Sequence, residues 1–103
     1  MKAKLKLWKI LVPASGNNGK DFTYEHHKAW DAFVRSLTGG VTILKTAKGQ
    51  WVSPNGQLYN DRMIPCEINC TKRQIIEIAL FTKKHYEQEA VAYYKISGGM
   101  HII

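Results

Sequence analysis

A chain of 103 residues, 45% hydrophobic and 22% charged, has the make-up of one globular domain and not of a disordered or multidomain protein. No apolar run nears the roughly 18 residues of a membrane helix, and the first leucines alternate with lysines, so a cytoplasmic protein with no membrane partner is expected. The formal net charge of +7 draws anions, either nucleic acid or small phosphorylated ligands, and disfavours cations.

Residues 3 to 13 read as a first strand. Ala3, Leu5 and Leu7 alternate with lysines, then Trp8, Ile10 and Val12 take over the apolar phase while Leu11 stays apolar in the other. Such a phase change predicts a bulge, or a strand whose far half is buried on both faces, which in a protein this short implies a partner subunit. Lys2, Lys4, Lys6 and Lys9 form either a solvated strand face or a row of phosphate contacts. Pro13 to Asp21, PASGNNGKD, is a glycine-rich connection. Its Lys20 and backbone N–H groups suit an anion with a helix N-terminus behind it, and a plain flexible loop fits the same residues. It is not a Walker loop, because Gly16 and Gly19-Lys20 lie too close together and Asp21 stands where a hydroxyl is needed.

Phe22 to Leu37 is predicted as a helix, with Trp30, Phe33, Val34 and Leu37 on one face, Thr23 as its cap and Gly39-Gly40 as its end. Its first turn carries Tyr24, Glu25, His26 and His27. Neighbouring residues project about 100° apart on a helix, so the two histidines are not expected to converge on one site. His26 and Tyr24 are assigned to the ligand region, with a solvated histidine pair as the alternative.

Val41 to Lys48 reads as a second strand feeding a hairpin whose turn is Ser53-Pro54-Asn55-Gly56: proline presets φ, and glycine supplies the positive φ that closes the turn. Trp51 and Tyr59 then sit close together on the two arms. The distal arm passes through Asn60-Asp61-Arg62 into a strand from Met63 to Cys70, with Ile64, Cys66, Ile68 and Cys70 in one phase and Pro65 near its start, where a missing N–H is best tolerated. Cys66 and Cys70 share a face but lie roughly 13 Å apart, at about 3.3 Å per residue, too far for a disulfide. They are expected as core fillers, and without a second pair of ligands at recognisable spacing no zinc site or other cofactor is predicted. Thr71 and Gln74 make a capping box for a second helix, in which Ile75, Ile76, Ile78, Ala79, Leu80 and Phe81 spread wider than one stripe. That helix is expected to break after Tyr86-Glu87-Gln88-Glu89. Ala90 to Ile96 then forms the last strand, and Met100 to Ile103 an apolar tail.

The order β, α, β, hairpin, β, α, β predicts an α+β ferredoxin-like βαββαβ sandwich with an extra hairpin: one antiparallel sheet and two helices on one face. The other sheet face needs cover, for which the economical solution is a homo-oligomer, a symmetric ring such as a trimer.

The WDAF helix, the VTIL strand and the GQW..PNGQL hairpin resemble a family of uncharacterised small bacterial domains with a GQW..PDG hairpin, over roughly residues 29 to 96. More loosely, the step Val12-Pro13-Ala14, the histidine-bearing helix start, the glycine turn and the acidic strand entrance are similar in order to the phage S-adenosylmethionine lyases. That resemblance implies a PII-like trimer with substrate bound between subunits. It also implies a carboxylate near the entrance to the strand after the hairpin: the matching residue is Asp61, with Glu67 further along and Tyr59 as the neighbouring phenol. An aspartate is one methylene shorter than the family's glutamate, and Arg62 beside it is placed to pair with it.

Two functions from different classes follow. The first is a phage-type binding protein that sequesters an anionic nucleotide, a host immune signal, as a counter-defence. Lys20, Arg62, His26 and loop N–H groups would hold its phosphates, while Trp51, Tyr59 or Tyr24 stack on a base. The alternative is an S-adenosylmethionine lyase with Asp61 and Tyr59 as its catalytic residues, yielding methylthioadenosine and homoserine lactone. Cyclic-nucleotide cleavage by His26 or His27 lacks a paired motif. Nucleic acid is not the expected partner, because no helix-turn-helix, zinc or RNP pattern is present. The sequence leaves open whether the hairpin over residues 49–62 serves its own subunit or the next.

Overall fold

The computed structural model describes residues 3–102. Lys2 of the basic row and Ile103 of the apolar tail lie outside them. The elements run β1 (Lys6–Pro13), α1 (Tyr24–Thr38), β2 (Thr42–Ile43), β3 (Ala47–Val52), β4 (Leu58–Cys70), α2 (Lys72–His85) and β5 (Tyr93–Ser97). They form one antiparallel sheet in the order β2-β4-β1-β5, with β3 paired to β4, and both helices pack on one face: the expected ferredoxin-like α+β fold.

The core sits between that face and the helices. Trp8, Ile10 and Val12 of β1 lie opposite Ile68, Cys66 and Ile64 of β4, and Trp30, Val34, Ile75 and Ile78 close over them. Burying two indoles requires partners for their N–H groups. Trp8 donates to the Cys70 carbonyl at 3.1 Å, and Trp30 to the Thr82 hydroxyl at 2.8 Å. Cys66 and Cys70 are free and buried, and burial pushes their thiols up to about 12 and about 11, so both are neutral fillers.

Both helices start where their caps predict. Thr23 accepts from the His26 amide, and Thr71 and Gln74 form the complete capping box; Gly39, at φ 86, ends α1 in the left-handed region. Of the broad apolar face of α2, Ile75, Ile78 and Ala79 are buried, whereas Ile76 and Leu80 are exposed.

The strands depart further from expectation. The second strand shrinks to Thr42–Ile43 because Pro65 faces Leu44: Leu44 donates to the Pro65 carbonyl at 2.9 Å, but proline has no N–H to return. Ile43 faces Cys66 and Ala47 faces Met63, so four steps on one strand match three on the other, and the ladder resumes as β3 after a bulge. Pro65 is therefore not at a strand start. It lies within a continuous β4 that joins the hairpin arm and the following strand into 13 residues. The bulge expected in the first strand lies in its partner instead: Leu7 faces Ser97 and Trp8 faces Lys95, leaving Ile96 as the extra residue of β5. Residues 3–5 and 90–92 stay outside the strands, and α2 ends at His85.

The sheet face away from the helices has no cover among the described residues. Leu7, Leu11, Pro65 and Asn69 are half-buried on it, Tyr94 and Ile96 are exposed, and Lys9 pairs with Glu67 at 3.5 Å. The Asn69 side-chain carbonyl oxygen is buried there without a hydrogen-bond partner.

Candidate functional site

The hairpin closes as its sequence dictates. Gly56 adopts φ 87, its amide donates to Ser53 O at 2.9 Å, and the Ser53 amide donates to Gln57 O at 2.9 Å. This turn sets the register that places Trp51 opposite Tyr59 and Gly49 opposite Asp61. The Trp51 and Tyr59 rings stack with centroids 4.7 Å apart and planes 15° from parallel. Trp51 Nε1–H donates to Asp61 Oδ2 at 2.9 Å, so the indole holds the carboxylate at the edge of the aromatic pair. Because side chains alternate along a strand, these three residues share the open face of the sheet. Gly49 leaves the space that the Met63 side chain occupies beside them, which an added Cβ would fill.

Arg62 points to the other face and does not pair with Asp61, contrary to expectation. Its guanidinium donates to Asp21 Oδ1 at 3.0 Å, and the same oxygen accepts from the Ser15 hydroxyl at 2.8 Å. The Ser15 hydrogen bond, followed by the Arg62 charge, holds the Asp21 carboxyl below the usual carboxylate range. This junction ties the glycine-rich loop to the base of the hairpin, and Ala14 N–H donating to Arg62 O at 3.1 Å reinforces it. A cleft of about 470 Å³ opens at that base, lined by Thr46, Ala47, Lys48, Asn60, Asp61 and Arg62.

The loop uses part of its backbone internally. The Gly16 amide donates to Lys20 O, Gly19 to Gly16 O and Lys20 to Asn18 Oδ1, so three amides expected to face a ligand are used within the loop. A second cleft, of about 450 Å³, lies between this loop and the end of α2, with Lys20, Phe22, His26 and Tyr86 in its wall.

The two histidines behave differently from the helical projection. His26 stacks on His85 at 3.8 Å, and His27 Nδ1 lies 2.7 Å from the Tyr86 hydroxyl, so the end of α2 slots between them and both reach one cluster. Burial pushes His27 below the ordinary imidazole value. Tyr24 takes part in neither cleft: it is exposed, with Lys28 Nζ 5.4 Å from its ring centre.

The candidate residues thus divide. Trp51, Tyr59 and Asp61 come together on the open face; Lys20 and His26 line the second cleft; Arg62 lies at the junction; Tyr24 stands apart. Sequence reasoning missed Ser15, Asp21, His85 and Tyr86, whose only signal was polar or aromatic character beside predicted element ends. Among the described residues no group of three or more His, Cys, Asp or Glu comes together as a metal site, and no described helix is long and apolar enough to cross a membrane.

The architecture is shared with known structures. A phage SAM lyase in complex with S-methyl-5'-thioadenosine superimposes with a TM-score of 0.70 at 13% identity, over 97% of this chain and 86% of that one. CutA from Archaeoglobus fulgidus gives 0.67 at 11% identity over 95% and 87%, and CutA1 from Oryza sativa 0.66 at 16% over 95% and 84%. At these identities the likeness is one of fold. No family model matches the chain, so the likeness to the GQW..PDG hairpin domains has no support beyond the quoted residues, and no curated protein matches it in sequence.

Proposed function

We propose that the protein is a phage-type lyase that binds S-adenosylmethionine between copies of itself in the host cytoplasm and splits it. One observation carries the reading: the Asp61 carboxylate is held by an indole N–H beside a stacked aromatic pair, while the neighbouring arginine is committed elsewhere. A negative charge against an aromatic surface suits a cationic nucleoside, with the adenine on the outer face of Trp51 or Tyr59. The phage SAM lyase that shares the fold was solved with S-methyl-5'-thioadenosine, the thioether product of such a cleavage.

In that reaction the substrate carboxylate attacks its own γ-carbon, the carbon–sulfur bond breaks, and the electron pair neutralises the sulfonium. The products are methylthioadenosine and homoserine lactone, and no proton moves. The protein's task is to fold the substrate into attack geometry in a dry site. Charge vanishes at sulfur along the path, so a carboxylate pressed against the sulfonium would favour substrate over transition state. Asp61 is better used against the ammonium group, whose charge persists; the Tyr59 phenol donates to Gln57 Oε1 at 3.1 Å, toward the turn, so its part is the stacking face of its ring.

The open sheet face supports a ring of copies, a trimer being the economical closure, that would shelter Leu11, Tyr94, Ile96 and the unpartnered Asn69 oxygen and wall in the hairpin site. The test is to incubate purified protein with S-adenosylmethionine and follow products by mass spectrometry. Methylthioadenosine and homoserine lactone in equal amounts are expected; unchanged substrate sinks the reading.

One observation favours a second reading. Against a net charge of +7, only two ion pairs form among the described residues, so most of the cationic surface is unneutralised. An anionic nucleotide could draw Arg62 from Asp21 and engage Lys20 and Lys48, making the protein a sponge for a host signal. Nucleotide retained on the protein and released intact by heating distinguishes it from turnover.

A further inference from the structure

The start of α1 and the end of α2 are locked by two histidines. The His26 and His85 rings lie 3.8 Å apart and 15° from parallel. His26 Nε2 meets the His85 carbonyl at 2.7 Å, and His85 Nε2 meets the His26 carbonyl at 2.8 Å. A carbonyl only accepts, so both rings carry their proton on Nε2 and keep Nδ1 as the vacant site. The His85 carbonyl lies at a helix end, where it has no intrahelical partner, and His26 supplies one.

The pair stands in the middle of a ring column. Phe33 stacks on Phe81 at 3.9 Å, Phe81 on His85 at 5.1 Å, and His26 on Phe22 at 5.1 Å. Phe22 ends the glycine-rich loop, and its amide donates to Ala14 O. The next residue back, Asp21, makes the tie to Arg62. Through Phe22, the His26 ring of the pair therefore packs against the end of the loop that walls the 450 Å³ cleft.

We propose that the His26–His85 pair is a proton-operated clasp, which holds the glycine-rich loop closed and releases it when both rings are charged. One added proton leaves a cation stacked on a neutral ring, which the π face tolerates. A second sets two cations face to face at the 3.8 Å separation, where like charges repel strongly. Charges of both signs stand around the pair. From α1, His27 adds a third titratable ring and Asp31 a carboxylate; the last turn of α2 brings Lys83 and Lys84, and beyond it stand Tyr86 and Glu87. The loop contributes Lys20 and Asp21, and Asp21 is already committed to Arg62 and Ser15. The inference does not depend on which ligand the hairpin takes.

The test is amide hydrogen exchange on the full chain, corrected for intrinsic rates, from about pH 7.5 down to about pH 5. The Gly16 and Phe22 amides are expected to lose protection by about tenfold or more, while Ile10 and Ile68 in the core hold theirs. His85→Gln and His26→Gln keep an amide donor but cannot form the charged pair, so whichever of them folds should abolish the loss. His27→Gln should retain it. No loss in the wild-type protein, an equal loss in the glutamine variants of the pair, or a loss removed only by His27→Gln overturns the clasp.

Discussion

Arg62 and Asp61 are adjacent in sequence, yet they serve opposite faces of β4: Arg62 binds Asp21 at 3.0 Å, and Asp61 receives the Trp51 indole at 2.9 Å. Strand alternation separates them, so a local charge pair that seemed to cancel leaves an available carboxylate. Asp61→Asn tests it. Asparagine can still accept from the indole, so the hairpin survives while the charge is lost. Loss of one charge-assisted contact costs about 1.5 to 3 kcal/mol, roughly 10- to 150-fold in kcat/KM. If Asp61 holds the ammonium, most of that fall is in KM; an unchanged kcat/KM removes Asp61 from the site.

Arg62→Ala is the companion change. It breaks the exposed tie to Asp21 without touching the core, and a single exposed pair contributes at most about 1 kcal/mol. Under the lyase reading S-adenosylmethionine turnover stays within a few-fold of wild type. Under the sponge reading nucleotide binding drops while the melting temperature hardly changes, which calorimetry and thermal melts on one sample separate.

Trp51→Ala removes both the stacking platform and the donor that positions Asp61. Stacking contributes about 1 to 3 kcal/mol per base. Trp51 is 50% exposed, so its loss does not open the core. Titration calorimetry with methylthioadenosine is expected to show roughly 5- to 150-fold weaker binding with a native circular dichroism spectrum. Equal affinity would place the nucleoside elsewhere.

Much of the framework was legible in the sequence because local chemistry decided it. Thr23, Gly39 and the Thr71–Gln74 box each fix a backbone end with their own atoms, and the Ser53–Gln57 turn, with Gly56 at φ 87, sets the hairpin register. What escaped depends on pairs distant in the chain. Pro65 shortens the second strand because of what lies opposite it, and the His26–His85 pair joins residues 59 apart. Helical projection kept His26 and His27 apart but could not show the end of α2 fitting between them. The Arg62–Asp21 tie likewise spans 41 residues, and its acid gave no signal beyond following a lysine.

If copies assemble through the open sheet face, Leu11 lies within the interface, opposite Pro65 and away from the helices. Leu11→Glu would bury a charge without a partner on each copy, and closed symmetry repeats the penalty around the ring. The variant is expected to run as a monomer in native mass spectrometry and to lose the dependence of melting temperature on concentration. A wild-type protein already monomeric at high concentration would refute the ring.

Stability should also fall on mild acidification. Burial lowers His27 from the ordinary imidazole value of 6.5, so between that value and the lower folded one the unfolded chain binds more protons than the native protein. The contribution is fully present above pH 6.5 and is lost as pH falls through the folded value. The cause is burial of the ring: its Nδ1 lies 2.7 Å from the hydroxyl of the buried Tyr86, and a charged ring would have to give up water there. Urea melts at a series of pH values are expected to show a midpoint that declines below 6.5 in the wild type and less steeply in His27→Gln. Identical slopes would show that another group carries the acid sensitivity.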